Sequence, residues 1–183
     1  MMASIKDKDG PADGARVVLK LGDDISTDAI YPGRYMATVL PSETPQYAFA
    51  DFTELNARLR NKQVAPGSIV VAGSNFGCGS SREQAASTLK GHDLVIIARG
   101  FGRIFLQNAV NLGLKILLCP ALEANEGDEL RLTGDQVYNR TTNKSFDLQP
   151  MPPARRAIIE AGGLILFTRA RLLQMQTSKS ETG

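Results

Sequence analysis

Two serines and an arginine, Ser80, Ser81 and Arg82, stand side by side at a glycine-rich turn in the stretch GSNFGCGSSREQ, residues 73–84. An arginine guanidinium presents a planar fork of N–H groups that matches a carboxylate or a phosphate. A helical pattern follows, and the first turn of a helix offers unpaired N–H groups and the positive end of its dipole to an anion. These residue types in this order predict an anion-binding turn and leave the type of reaction open.

A structural interpretation accounts for part of the same pattern. Ser80 precedes Glu83 by three residues, which is the spacing of a capping box, and glycines in a turn serve its backbone geometry alone. The stretch is not a phosphate-binding loop, because no Gly-Lys-Ser/Thr sequence follows, and it lacks the third glycine of a dinucleotide-binding turn. Ser80 is therefore either a helix cap or a reactive hydroxyl.

The surrounding chain has the pattern of an α/β domain. Compact apolar runs predict strands at 67–73, 93–98 and 115–119, and the segments between them predict helices at 81–91 and 102–113. Such alternation, with apolar runs typical of strands covered on both faces, predicts a parallel sheet. Parallel sheets bind ligands beyond the carboxyl ends of their strands, and the turn at 73–82 follows one such strand.

The remaining segments predict the rest of one domain over residues 15–174. They are a strand at 15–22, a turn-rich segment at 23–36, a helix in one or two pieces at 43–61, an antiparallel meander at 128–149 that turns at Gly134–Asp135 and near Thr142–Asn143, and a helix with an apolar segment at 152–174. Gly91 is predicted to be the C-cap of the helix before it. We expect a flexible tail at 1–14 and a polar tail at 175–183.

Composition excludes several classes of protein. A net charge of +2 over 183 residues, with scattered basic residues and no tryptophan, indicates neither nucleic acid nor an acidic membrane as a partner. No apolar run approaches the roughly 18–20 residues of a membrane span, and the first residues lack a signal peptide's apolar centre, so we expect a cytoplasmic protein. Cys78, Cys119 and His92 are too few to hold a metal cluster, so we expect no metal site in this chain.

Three segments together resemble the small, swivelling domain of the aconitase superfamily. GSNFGCGSSREQ resembles its NFG-x-GSSREH signature, GDDISTDAIYPGRYM its GD-x-x-x-TD-x-I-x-P-x-RY motif, and ARGFGRIFLQNAVNLGLKIL its A-(K/R)-SFARIF-x-RNA-x-N-x-GLP segment. The motifs occur in family order and span most of residues 20–119. Chain length is similar to that of free-standing small subunits of the isopropylmalate isomerase and homoaconitase type.

The resemblance implies a fold, an activity and a partner. The fold is a swivelling β/β/α three-layer domain with a mostly parallel central sheet and a small antiparallel β annex. The activity is that of a hydro-lyase, which dehydrates a hydroxy di- or tricarboxylate and rehydrates the intermediate with the hydroxyl on the adjacent carbon. A 4Fe–4S cluster that binds the departing hydroxyl belongs to a large subunit, which is the expected partner.

The resemblance also implies roles for individual residues. Ser80 is the base that removes the proton next to a carboxylate, Arg82 binds a substrate carboxylate and Ser81 hydrogen-bonds beside it. Asp28 faces the active site and pairs with a histidine or arginine of the large subunit. For Asp28, the structural alternative is a helix N-cap or an Asx-turn.

Two loops complete the expected site. By the same resemblance, Arg34 is expected to bind substrate at the start of a loop that senses the variable group of the substrate. That loop is formed by Tyr35, Met36, Ala37 and Thr38. The active-site loop includes Asn75, Gly77 and Gly79. The chain departs from the family pattern at Gln84, Gly100 and Gly102, where the family has histidine, serine and alanine. Arg103, Cys78, Cys119 and His92 are interpreted as structural.

Three classes of function are compatible with these observations. The first is the small subunit of isopropylmalate isomerase, acting in leucine biosynthesis, with homoaconitase and dimethylmalate- or citramalate-type dehydratases as alternatives. The SSREQA sequence is similar to some homoaconitases. The second class is a non-catalytic anion-binding or scaffold domain. The third is a phosphate- or nucleotide-binding domain, which the missing lysine and glycine of those motifs disfavour. Retention of Asp28, Ser80, Ser81 and Arg82 together favours the enzyme.

Overall fold

The computed structural model describes residues 14–180, so the tail predicted at 1–14 lies almost wholly outside the described residues. Its strands and helices are β1 (Ala15–Lys20), α1 (Thr27–Ile30), α2 (Thr53–Arg60), β2 (Ile69–Ala72), α3 (Glu83–Gly91), β3 (Val95–Ala98), α4 (Arg103–Leu112), β4 (Lys115–Leu118), β5 (Glu129–Thr133), β6 (Gln136–Asn139), β7 (Lys144–Asp147), α5 (Pro153–Glu160) and α6 (Leu164–Ser180). Short 3-10 helices occupy Gly33–Tyr35 and Thr44–Tyr47.

The seven strands form one sheet in the order β4-β3-β2-β1-β5-β6-β7. β1 to β4 pair in parallel, and β5 to β7 form the predicted antiparallel meander. β1 joins the two parts, because it pairs in parallel with β2 and antiparallel with β5. The predicted fold class, a mostly parallel sheet with an antiparallel annex, is therefore confirmed.

Each face of the parallel strands covers an apolar core. Because side chains alternate along a strand, Val70 and Ile96 pack with the helices on one face, whereas Ile69 and Val71 pack on the other. The cover on that second face comes from the annex and the loop after β4, through Leu122, Ala124, Leu130 and Val137. Annex, parallel sheet and helices are thus the three layers that the resemblance implies.

The structure corrects the prediction for Gly91. This glycine is the last residue of α3, and the C-cap is His92. A Cβ atom at Gly91 would lie 2.3 Å from Cγ of Pro45, so close packing explains the glycine. The left-handed C-cap conformation occurs instead after α4, at Gly113, whose φ is +71°.

The C-terminal part is more helical than expected. Gly162 and Gly163, with φ of +86° and +126°, separate α5 from α6. α6 then continues to Ser180, so residues 175–180 are helical where the sequence predicts a tail. Several of its apolar side chains are exposed, and Ile165 is 83% exposed. No helix within residues 14–180 is long and apolar enough to cross a membrane.

An aromatic cluster anchors the glycine-rich turn after β2. Phe76 is fully buried and meets Phe105 and Phe101 edge-on, with ring centroids 5.2 and 6.1 Å apart. Its backbone is also held on both sides, because Phe76 N donates to Gly100 O (2.9 Å) and Gly102 N donates to Phe76 O (2.8 Å). The turn is therefore fixed to the connection between β3 and α4.

We expect Phe76→Ala to lower the free energy of unfolding by about 3–5 kcal/mol, because the substitution leaves a cavity among packed rings. Chemical denaturation of the full chain measures this change. The control is Ile165→Ala on α6, which removes an exposed side chain and changes the free energy by less than about 0.5 kcal/mol. Equal effects of the two substitutions would contradict the anchoring role of Phe76.

Candidate active site

The candidate site forms where the loop between β1 and α1 pairs with the loop between β2 and α3. Gly77 N donates to Ile25 O (2.7 Å), and Thr27 N donates to Cys78 O (2.9 Å). The Thr27 hydroxyl reaches further along the second loop and donates to Ser80 O (2.9 Å). These bonds bring the two segments singled out in the sequence, 22–36 and 73–84, into contact.

The residues predicted to form the active-site loop have unusual backbone conformations. Asn75, Gly77 and Gly79 have φ of +61°, +78° and +88°, in the left-handed region that glycine tolerates best. Gly77 is required for a second reason, because a Cβ atom there would lie 2.2 Å from the Phe105 ring. Asn75 is held by its side-chain amide, which donates to Asp24 Oδ1 (2.7 Å).

Ser80 and Ser81 are exposed, and neither hydroxyl forms a hydrogen bond with another residue in the described range 14–180. The capping-box interpretation of Ser80 is wrong, because α3 begins at Glu83 and its N-cap is Arg82. The helix therefore starts two residues later than that motif requires, and no side chain caps it. Both hydroxyls and the N–H groups of Glu83 and Gln84 therefore have no partner within residues 14–180, whereas Ala85 N donates to Arg82 O (3.2 Å).

Asp28 and Arg82 form an ion pair across the two loops. Arg82 Nη2 donates to Asp28 Oδ2 (2.7 Å), and Arg82 Nη1 pairs with Asp28 Oδ1. Nη1 also donates to Tyr31 O (3.2 Å), while Gly33 N donates to Asp28 Oδ1 (2.9 Å). The Arg82 side chain is 13% exposed and that of Asp28 is 60% exposed. The guanidinium is thus held in place beneath an accessible carboxylate.

These contacts determine the charge state of Asp28. The Arg82 hydrogen bond, followed by the Gly33 N–H, holds the pKa of the Asp28 carboxyl below its ordinary value of 3.8. Asp28 is not the N-cap of α1, since Ser26 occupies that position and its hydroxyl accepts from Ala29 N (3.2 Å). Asp28 is therefore an ionised, exposed carboxylate at neutral pH.

Arg34 lies beside this pair in the chain but has a partner of its own. Its Nη2 donates to Asp51 Oδ1 (2.5 Å), and its guanidinium carbon lies 4.8 Å from the centre of the Tyr35 ring. Asp51, which the sequence analysis did not single out, therefore holds the side chain predicted to bind substrate. A substrate anion at Arg34 would compete with this carboxylate.

The loop predicted to sense the substrate is mostly packed. Tyr35 stacks on Tyr47 with ring centroids 4.1 Å apart, and Met36 packs against the core on the helical face. The Thr38 carbonyl is 3.4 Å from the Tyr31 hydroxyl, which donates to it, and Ala37 is exposed. Beyond it, Val39 and Leu40 are 66% and 53% exposed, an apolar surface that the sequence analysis missed. In the sequence, this surface is visible only as an apolar pair between the turn-rich segment at 23–36 and the helix predicted at 43–61.

The two cysteines and the histidine have no proposed role in the chemistry of the site. Cys78 is half-buried and free, and Cys119 is fully buried, which raises the pKa of its thiol. His92 Nε2 lies 2.8 Å from Pro45 O at the end of α3. Within residues 14–180, no three His, Cys, Asp or Glu side chains lie close enough together to bind a metal ion.

Comparisons with known proteins identify the family to which the chain belongs. Residues 25–120 match the aconitase C-terminal domain family. A 3-isopropylmalate dehydratase small subunit from Thermodesulfovibrio yellowstonii is 42% identical over 160 residues, covering 85% of this chain and 93% of that protein. An isopropylmalate/citramalate isomerase small subunit from Methanocaldococcus jannaschii is 39% identical over 168 residues, covering 87% and 95%.

A solved structure has the same fold. The crystal structure of 3-isopropylmalate dehydratase from Methanocaldococcus jannaschii superposes with a TM-score of 0.79 at 37% identity, covering 90% of this chain and 97% of that one. Fold and sequence thus define an α/β domain of the aconitase type. The chain belongs to the aconitase C-terminal domain family and, within it, to the 3-isopropylmalate dehydratase small subunits. The prediction of a hydro-lyase small subunit is confirmed.

We expect Arg82→Gln to raise the pKa of the Asp28 carboxyl towards its ordinary value, because the substitution removes the main group that lowers it. Carboxyl-carbon NMR titration of the full chain measures this pKa. The matched control is Arg34→Gln, which disrupts the pair with Asp51 and leaves the Asp28 titration unchanged.

The free energy of unfolding also depends on the titration of the Asp28 carboxyl. Folding lowers the Asp28 pKa, so the pair stabilises the protein above the ordinary carboxyl pKa, and this contribution is lost as the pH falls through the folded-state value. The exposure of Asp28 limits the contribution to about 1 kcal/mol. An Asp28 pKa that is the same in Arg82→Gln and the unsubstituted protein would contradict the role of the pair.

Proposed function

We propose that this chain is the small subunit of a two-chain hydro-lyase that isomerises isopropylmalate by dehydration and rehydration, in leucine biosynthesis. The observation that carries the proposal is the exposed Ser80 hydroxyl, which has no hydrogen-bond partner within residues 14–180, two residues before Arg82, whose guanidinium is held in place by Asp28. The names of the relatives, 3-isopropylmalate dehydratase small subunits, support this choice of substrate. We place the enzyme in the cytoplasm, consistent with two free cysteines.

Arg82 is proposed to bind a carboxylate of the substrate. Its contacts with Asp28 and Tyr31 O use only part of the five N–H donors of a guanidinium, so other N–H groups remain for a ligand. Because the side chain is largely buried and already ordered, binding costs little conformational entropy. The exposed Ser81 hydroxyl, next to it in the chain, is proposed to donate a hydrogen bond to the same carboxylate.

Ser80 is proposed to move the proton. As an oxyanion, its oxygen takes a proton from the carbon next to a carboxylate, the carbon–hydrogen electron pair forms the alkene, and the hydroxyl leaves the adjacent carbon with its bonding electrons. Water then adds to the alkene in the opposite sense. Its hydroxyl joins the carbon that lost the proton, and its proton joins the carbon that lost the hydroxyl, which completes the isomerisation. A serine hydroxyl is a weak base, and the uncapped N-terminus of α3 supports its oxyanion electrostatically.

The departing hydroxyl must be accepted outside the described part of this chain. The resemblance implies a 4Fe–4S cluster on a large subunit, where it supplies a Lewis acid. The residues described here do not fit such a cluster, since no three metal-ligating side chains lie together among them. The large subunit is therefore the partner that we propose, and Asp28, which remains 60% exposed, is the carboxylate that faces it.

Substrate specificity is proposed to depend on the loop from Tyr35 to Thr38. Ala37 is exposed, and the adjacent Val39 and Leu40 present an apolar surface that suits a branched alkyl group or the large subunit. Citramalate is a second candidate substrate, because the relative from Methanocaldococcus jannaschii is named an isopropylmalate/citramalate isomerase small subunit. Homocitrate-series acids and dimethylmalate are further alternatives.

The first test is turnover by this chain together with the large subunit from the same genome, reconstituted under anaerobic conditions. We expect alkene absorbance to change with isopropylmalate for the pair and for neither chain alone. Citramalate, dimethylmalate, citrate and homocitrate-series acids complete the panel. Turnover of another acid would correct the substrate, and an assembled complex with an intact cluster that turns over none would favour a scaffold role.

We expect Ser80→Ala to abolish turnover in the assembled enzyme while leaving subunit association unchanged, because the side chain is exposed and makes no structural hydrogen bond within residues 14–180. A rate loss of about 10²-fold or more is the expected size for removal of a proton-transfer group. Ser145→Ala, at an exposed serine of β7, is the matched control. Strong residual activity of Ser80→Ala at equal assembly would exclude Ser80 as the base.

A further inference from the structure

A concave site separate from the Ser80–Arg82 turn lies on the annex side of the sheet. It is a cavity of about 490 Å³ at the carboxyl ends of β1, β2 and β3, closed by the loop after β4 and by the turn between β6 and β7. Binding pockets for small molecules commonly have volumes of a few hundred cubic ångströms, and parallel sheets place them beyond the ends of their strands. Ser80, Ser81, Arg82 and Asp28 do not line this cavity.

The floor of the cavity is apolar. Val71, Leu122 and Ala124 line it, and all three also belong to the core between the parallel sheet and the annex. They are largely buried, with exposed fractions of 6%, 4% and 4%, so each presents a small apolar surface to the cavity. A ligand resting on them would cover the remaining apolar surface and gain free energy in proportion to the area removed from water.

The rim of the cavity carries three cations, Lys20, Arg99 and Lys144, and two carboxylates, Asp23 and Glu123. Most of these groups already have partners. The Lys144 ammonium pairs with Glu123 (2.7 Å), and the Asp23 carboxylate accepts from the backbone N–H of Ser74 (2.6 Å). The pairing with Lys144 holds the pKa of the Glu123 carboxyl below its ordinary value.

Arg99 is the exception on this rim. Its guanidinium forms no hydrogen bond or salt bridge with any residue in the described range 14–180, and its charge adds to that of Lys144 in lowering the pKa of the Glu123 carboxyl. Lys20 has only a neutral partner, since its ammonium donates to the amide oxygen of Asn125 (2.8 Å). The rim therefore has one cation more than it has carboxylates, and its unpaired group is the one that binds carboxylates in a two-pronged geometry.

A buried polar network holds the wall of the cavity in place. Asp128, 7% exposed, accepts hydrogen bonds from Asn125 N (2.9 Å) and from the side-chain amide of Asn139 (2.8 Å). Asn139, fully buried, accepts in turn from the backbone N–H groups of Thr141 and Thr142 (3.0 and 3.2 Å). Since fully satisfied buried networks are rigid, the loop at 122–125 and the turn at 141–144 form the cavity before any ligand arrives.

We propose that this cavity binds a small organic monoanion, with its carboxylate on Arg99 and a short branched apolar body on Val71, Leu122 and Ala124. Lys20 lies on the same rim and adds to the positive potential. Both parts of the ligand are required by the site, because the floor has no hydrogen-bonding side chain and the rim has an unpaired guanidinium. Since none of the residues proposed for proton transfer lines it, the cavity is a binding site and not a second catalytic site.

The test is an amide NMR titration of the full chain with 3-methylbutanoate as the probe. We expect saturable shifts at Val71, Leu122 and Ala124 below about 10 mM, the affinity range of a small ligand with one charged contact. Two matched probes separate the contributions. 3-Methylbutanamide keeps the shape without the charge, inorganic phosphate keeps a charge without the apolar body, and each should bind at least about tenfold more weakly.

Variants locate the contact. Arg99→Gln should weaken 3-methylbutanoate binding by about tenfold or more, and Lys20→Gln should weaken it less. Arg131→Gln, at an exposed arginine of β5 outside the cavity, should leave it unchanged. The proposal fails if shifts occur only at Ser80–Arg82, if the amide binds as tightly as the carboxylate, if Arg99→Gln binds normally, or if no saturable shift occurs.

Discussion

The pairing of two loops is the constraint on which the rest of the site depends. Bonds from Gly77 N to Ile25 O and from Thr27 N to Cys78 O hold the segments after β1 and β2 together. Only a backbone with left-handed residues at Gly77 and Gly79 follows this path, and Phe76 fixes it to the aromatic cluster below. A loop pinned along its length in this way has few conformations left to lose on binding.

This pairing has an electrostatic consequence. It places the carboxylate of Asp28 against the guanidinium of Arg82, so each charge satisfies the other before a substrate arrives. Arg82 then occupies the N-cap position of α3 without a side-chain capping bond, so the N–H groups of Glu83 and Gln84 and the hydroxyl of Ser80 have no partner among residues 14–180. The site exposes unsatisfied polar groups at its surface, where water satisfies them until a ligand replaces it.

The candidate active site and the annex-side cavity share a physical origin. Parallel strands end at one edge of the sheet, and the chain must leave that edge towards one face or the other. Towards the helices it forms the Asp28–Arg82 pair, and towards the annex it forms the cavity lined by Arg99. Asp23 and Ser74 lie where the two paired loops begin, next to that cavity, and their hydrogen bond belongs to the same ladder that ends near Ser80.

Sequence alone determined the alternation of strands and helices between 67 and 119, because apolar periodicity is a local property. The motifs around Ser80 and Asp28 likewise identified the two loops that meet. Pairwise contacts were decided only by tertiary structure. Two of these contacts join residues that are distant in sequence: Gly91 packs on Pro45, and Arg34 pairs with Asp51. The third feature is the start of α3 at Glu83, two residues later than a capping box at Ser80 requires. Local sequence patterns do not predict such contacts, because the contacts form, and stabilise the protein, only in the folded chain.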